Sequence, residues 1–310
     1  MSSEIRVPFE YRFTTFLPPP AGTAIPFVVG GGTQRNPESE FENVNNQDAA
    51  RIILGDNFII GVVCDGCGGT HRDLEEFTHS SNEVGAKLLS YLVSERAKRL
   101  VQVAHEWDDR MFLHRLSEEI LSALETVAVL FCGDNEVARD HFTFDFLATT
   151  VLGFVVTAEK FMVFHSGDGV IAVNGEIQSL EDQQGVYLAR ALAWRLCPGK
   201  YTGPIREAQL NLFRSGRTDE LRSILVATDG MWEAISQSKP AWLDFLASPP
   251  QSGQNGLDYV LPEFRKKIAW TDGCKTSFRD DATFLLLRKI DDSAQTPHNE
   301  DTSNVADNPR

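Results

Sequence analysis

Apolar residues recur along this chain in two rhythms, short β-branched runs and stretches at helical spacing. "RIILGDNFIIGVVC" (51–64) is a pair of β-branched runs around a three-residue turn, which predicts a hairpin. From about Thr78 to Val101 the period becomes helical, with Val84, Leu88, Tyr91 and Leu92 expected on one face. A second helix follows, carried by Leu113, Leu116, Ile120, Leu124, Val127 and Phe131. "ATTVLGFVVTA" (148–158), "KFMVFHSGD" (160–168) and "GVIAVNGEIQSL" (169–180) read as strands, the last folding back at Asn174-Gly175. "SILVATDG" (223–230) is a buried-type strand that enters an acidic turn and then a short helix in "MWEAIS". Residues 239–270 read as helices, and "ATFLLLRKI" (282–290) closes the pattern as a strand. This order predicts an α+β fold of two antiparallel β-sheets with helices packed outside.

The ends of the chain behave differently. Residues 1–27 contain "LPPP" and read as an irregular lead-in, although "YRFTTF" has the make-up of an edge strand. Residues 291–310 are polar and acidic and cannot bury enough surface to offset the entropy of ordering, so a disordered tail is expected. Between them, 28–290 shows no repeat or linker and reads as one domain. The net charge of −15 argues against binding a phosphate backbone, hence no nucleic-acid partner. No apolar run reaches membrane-spanning length and the N-terminus lacks a signal pattern, so no membrane association is expected. Five cysteines, few and odd in number, argue for a reducing compartment over a disulfide scaffold. A cytoplasmic monomer is the expectation, with the nucleus also compatible.

The chemistry lies in the turns. Asp65-Gly66, Asp168-Gly169 and Asp229-Gly230 each follow a strongly apolar strand, Asp280-Asp281 opens the last one, and Asp48 precedes the first hairpin. One Asp-Gly is an ordinary turn. Several brought to one end of a sandwich would repel each other unless cations sat among them. Carboxylates of this kind suit Mg²⁺ or Mn²⁺, and a pair of such ions can activate water and orient a phosphoryl group. The residues thus point to a dinuclear hydrolase of phosphate esters.

In order and rough spacing, "NNQDA" (45–49), "VVCDGCGGT" (62–70), "ATTVLGFVV" (148–156), "FHSGDGVIAV" (164–173), "ILVATDGMWEAIS" (224–236) and "FRDDATFLLL" (278–287) resemble the motifs of the type-2C metal-dependent protein phosphatases. The resemblance covers about residues 28–290 and is closer to the bacterial-type branch. It implies a four-layer αββα sandwich and hydrolysis of phosphoserine or phosphothreonine in proteins by a metal-bridged hydroxide. Asp65, Asp229 and Asp280 are then the catalytic ligands, with Asp65 bridging two metals and the Gly66 carbonyl binding the second. Asp48 is implied at the site's edge, and Asp168 with Asp229 at a third, weaker metal.

This sequence departs from the family at the phosphate grip. Asn43 stands where many relatives carry a phosphate-clamping Arg, and Arg35 is the candidate substitute. Gln47 replaces a common Glu, and Gly167-Asp168-Gly169-Val170 lacks the Arg of the related element. Those losses keep open an inactive or weakly active relative that binds a phosphoprotein partner. Cys64 and Cys67 at Cys-x-x-Cys spacing also raise a thiol or zinc reading, but no second pair completes a zinc site. Cys67 takes the place of a His found in many relatives, and filler is the reading preferred over a proton donor. His71 and His79 near the metal loop are expected as solvated loop residues.

Overall fold

In the computed structural model, residues 5–9, 14–17, 25–34, 46–67, 81–103, 108–181, 187–200, 209–237 and 281–289 are described. The strands are β1 (Ile5–Phe9), β2 (Thr14–Leu17), β3 (Phe27–Gln34), β4 (Asp48–Leu54), β5 (Phe58–Asp65), β6 (Val151–Thr157), β7 (Lys160–Ser166), β8 (Val170–Val173), β9 (Glu176–Ser179), β10 (Asn211–Arg217), β11 (Ser223–Ala227) and β12 (Ala282–Lys289). The helices are α1 (Asn82–Val103), α2 (Asp109–Cys132), α3 (Glu136–His141), α4 (Leu188–Leu196) and α5 (Gly230–Gln237). Among the described residues two six-stranded sheets form, ordered β1-β4-β5-β6-β7-β10 and β2-β3-β12-β11-β8-β9. Every strand pairing in them is antiparallel.

Strand alternation sorts the apolar residues into two cores. Ile52, Ile59, Val63, Phe154, Val163, Ile171, Ile224 and Leu285 fill the space between the sheets. Ile53, Ile60, Val62, Cys64 and Val155 face the other way, against Leu89, Val93, Leu116, Ile120 and Leu124 of α1 and α2. The fold is therefore an α+β sandwich with helices laid on its sheets. The residues expected to be helical at 239–270, and the tail at 291–310, lie outside the described residues.

Three expectations change. The lead-in is not irregular throughout: β1 and β2 add an edge strand to each sheet, pairing with β4 and β3. In α1 the buried face is Ala86, Leu89, Val93, Ala97 and Leu100, while Val84 and Tyr91 are about half exposed, at 49% and 48%. At its first turn the helix lies close against the segment that leads into β6: a side chain on Gly85 would run into the carbonyl of Phe146. Tyr91 is used outside, where the Arg51 guanidinium stacks 4.5 Å from its ring centre and bonds Glu95 at 2.7 Å. On α2, Phe131 is 78% exposed rather than core, stacked at 5.9 Å on Phe142.

Candidate metal centre

Antiparallel pairing gathers the acidic turns. β4 begins where β5 ends, with Asp48 directly opposite Asp65. β11 ends beside the starts of β8 and β12. The turn 167–169 joins the first sheet to the second at this same end, with positive φ at Gly167 (90°) and Gly169 (134°) holding Asp168 between them. Asp48, Asp65, Asp168 and Asp229 thus share one end of the sandwich.

Alternation also sets which way the carboxylates point. Asp48 has the parity of Ala50 and Ile52, and Asp65 that of Ile59 and Val63, so both project between the sheets. Asp281 has the parity of Leu285 and Leu287 and meets them from the second sheet. Like charges opposite one another are unfavourable, and the surroundings respond. Burial, and then the charge of Asp281, push the Asp48 carboxyl from 3.8 to about 8, although Thr283, Thr228 and Asp65 all offer hydrogen bonds. Asp48 is only 5% exposed. Thr228 donates to Asp48 Oδ2 at 3.0 Å, and the Thr283 hydroxyl lies 2.6 Å from that of Thr33. Asn46 Oδ1 accepts from the Asp48 amide at 2.9 Å, and Asp281 Oδ2 from the Gln47 amide at 2.7 Å. Gln47, where a carboxylate is common in relatives, therefore contributes its backbone.

Across the site, burial and then the charge of Asp229 raise Asp168 to about 6. Cys67 lies between the two groups: burial, then Asp65, push its thiol well above the usual range, with smaller contributions from Asp168 and Asp229. Tyr187 hydrogen-bonds this thiol. Cys64, Cys67, Cys132 and Cys197 are free thiols, and Cys64 is fully buried against the helices. A thiol held protonated between carboxylates is a poor nucleophile, which disfavours the redox reading.

Three oxygens decide whether this donor set fits a hard cation. Asp48 Oδ1 and Asp229 Oδ1 are buried without a hydrogen-bond partner. In the Asp65 turn, Asp65 C=O accepts from Thr150 N at 2.9 Å and Cys67 C=O from Asn82 Nδ2. Between them, the carbonyl of Gly66 accepts no hydrogen bond among the described residues. Buried oxygens without donors are costly in an apolar setting and are what Mg²⁺ or Mn²⁺ requires. They fit such an ion. Gly66 is obligatory for space as well, because a Cβ there would lie 2.7 Å from the Asn82 backbone. Among the described residues no three Asp, Glu, His or Cys side chains close into one cage. Asp280 and Arg35 lie outside the described residues, as do Asn43, Gly68, Gly69, His71 and His79.

A family model described as Protein phosphatase 2C matches residues 38–264. The chain belongs to the protein phosphatase 2C family. Its members are Mg²⁺- or Mn²⁺-dependent protein serine/threonine phosphatases, hydrolases that act on phosphoproteins. Solved structures of similar fold include a bacterial serine phosphatase, 15% identical, with 85% of this chain and 98% of that one covered and a TM-score of 0.51. The serine-threonine phosphatase 2C from Toxoplasma gondii is 16% identical, with 93% and 100% covered and a TM-score of 0.50. At these identities the likeness supports the fold. No curated protein matches the sequence significantly. For this phosphatase, sequence reasoning named Asp281 only as half of the Asp280-Asp281 pair and gave it no role of its own, and it did not single out Thr228 or Asn82. The signal for Asp281 was the alternation 281-283-285-287, which sends it between the sheets.

Proposed function

We propose that this chain is an active phosphatase that removes phosphate from phosphoserine and phosphothreonine in proteins, using two Mg²⁺ or Mn²⁺ ions at the acidic end of its sandwich. The observation that carries the reading is a trio of oxygens without a hydrogen-bond partner among the described residues, Asp48 Oδ1, Asp229 Oδ1 and Gly66 C=O, gathered by both sheets. Asp65, Asp229 and Asp280 are assigned as the catalytic metal-holding residues, with Asp48 and the Gly66 carbonyl completing the pair of sites. Asp168, beside Asp229, is assigned to a third, weaker ion. When bound, the ions supply Lewis acidity towards water and phosphoryl oxygens.

The chain's own residues do the rest. Thr228 and Thr283 fix Asp48, so that one of its oxygens is engaged and the other is presented. Arg35 is assigned the substrate phosphate, in place of the Arg that Asn43 does not supply. The partner is a phosphorylated protein segment, and an acidic protein of −15 has no basic surplus for nucleic acid. A monomer in the cytoplasm completes the proposal; no helix among the described residues is long and apolar enough to cross a membrane. No observation favours the non-catalytic alternative.

The test is hydrolysis of a phosphothreonine peptide by the purified chain. Activity should appear with Mn²⁺, vanish with EDTA and be lost in Asp65→Asn. Turnover that survives EDTA, or that follows Cys64→Ser instead, would overturn the reading.

A further inference from the structure

Asn82 opens α1 and is fully buried, an unusual place for an amide. Its Nδ2 donates to two carbonyls, those of Cys67 and of Phe144, the latter at 3.4 Å. Its Oδ1 is buried without a partner. That asymmetry fixes the amide's orientation, since the reverse would set an oxygen against two carbonyl oxygens. The Asn82 backbone also lies directly against the Cα of Gly66. Around the Asp65 turn, Gly66 N donates to Gln47 O at 3.1 Å, Cys67 N to Ala148 O at 2.9 Å, and Thr150 N to Asp65 O at 2.9 Å. Asn82 closes the last polar group of this frame. With the Asp65 and Cys67 carbonyls both occupied, the Gly66 carbonyl is the one of the three that accepts no hydrogen bond among the described residues.

We infer that Asn82 is a positioning residue for the metal centre: by holding the Cys67 carbonyl and abutting Gly66, it fixes the peptide that offers the Gly66 carbonyl to the metal. The inference rests on the metal site proposed above. It assigns to a helix-initial amide, 17 residues after Asp65, the role that an outer hydrogen-bond partner plays at other metal sites. The helix start and the metal turn are thereby one unit. A purely structural Asn would affect the stability of the whole fold and leave metal affinity alone.

Full-length Asn82→Ala and Asn82→Asp are compared with wild type and with Ser94→Ala, a control on the same helix whose buried hydroxyl bonds only its own helix, to the Tyr91 carbonyl. Mn²⁺ affinity is read by calorimetry, and melting temperature in EDTA and in saturating Mn²⁺. Asn82→Ala should bind Mn²⁺ ~10–100-fold more weakly and lose part of the Mn²⁺-induced rise in melting temperature. Asn82→Asp, isosteric but without a donor, should be weaker still. Ser94→Ala should bind as wild type does, whatever its melting temperature in EDTA. Asn82→Ala with wild-type Mn²⁺ affinity would overturn the inference, as would a variant unable to fold even in saturating Mn²⁺, which would make Asn82 a determinant of the fold at large. If wild type itself takes up no Mn²⁺, the metal site fails and this inference with it; if wild type binds and both Asn82 variants bind equally, only the inference fails.

Discussion

Asp48 offers the sharpest handle on how protons and metal compete. Burial, followed by the facing charge of Asp281, raises its carboxyl from 3.8 to about 8 in the metal-free protein. An unfolded chain ionises the same group near ~3.9. Between those values the folded state binds more protons than the unfolded one. This contribution to stability is fully present below the unfolded pKa and is lost as pH rises through the folded one. A cation that engages Asp48 must displace the proton. With a pKa of about 8, only ~1% of the group is ionised at about pH 6 and ~10% at about pH 7. Mn²⁺ affinity should therefore climb about tenfold per pH unit in that range and level off above about pH 8, with close to one proton released per bound ion at the lower end. Calorimetry at about pH 6, 7 and 8, in buffers of different ionisation enthalpy, reads both quantities. Asp48→Asn should flatten the profile. A wild-type affinity that does not change with pH, or release of less than about a third of a proton per ion near pH 6, would refute the reasoning.

Four further outcomes follow from the packing. Gly66→Ala places a Cβ 2.7 Å from the Asn82 backbone and 3.0 Å from the Gln47 carbonyl; it should cost about 1–3 kcal/mol in urea unfolding and weaken Mn²⁺ binding. Cys67→Ala should retain at least about half of wild-type kcat, because a thiol pushed up by burial and Asp65 is neither nucleophile nor ready acid. For the same reason Cys67 in the native protein should resist iodoacetamide at neutral pH, as measured by mass spectrometry. Phe154→Ala, emptying a fully buried site between the sheets, should lower unfolding stability by about 3–5 kcal/mol without changing Mn²⁺ stoichiometry.

Much of the frame was legible because large apolar residues mark it. The hairpin of β4 and β5, the strands β6 to β9, β11 and β12, and the buried positions Leu113, Leu116, Ile120 and Leu124 follow directly from period and turn chemistry. What escaped was written in small or mixed residues. The sheet-facing side of α1 is Ala86, Ser90, Ser94 and Ala97 interleaved with Leu89 and Val93, and a scan for bulky residues picks a face rotated from it, of which Leu88 and Leu92 pack against the core while Val84 and Tyr91 do not. β10, "NLFRSGR", is an edge strand with mostly half-buried positions and a register shift between Leu212 and Arg214, so it has neither alternation nor an apolar run. The acidic turns were legible as a group. The charge coupling between Asp48 and Asp281 was not, because it depends on two sheets facing each other between strands far apart in sequence. Asn82 carried no local signal, since a buried helix-initial amide looks in sequence like an ordinary cap.

The central claim is that these strand-end carboxylates make a working phosphatase. Its most direct measurement is kcat/KM for a phosphothreonine peptide at saturating Mn²⁺, wild type against Asp229→Asn. The account predicts a loss of at least about a hundredfold, the scale of removing a group that stabilises charge in the transition state. Two rates that coincide within error would contradict it.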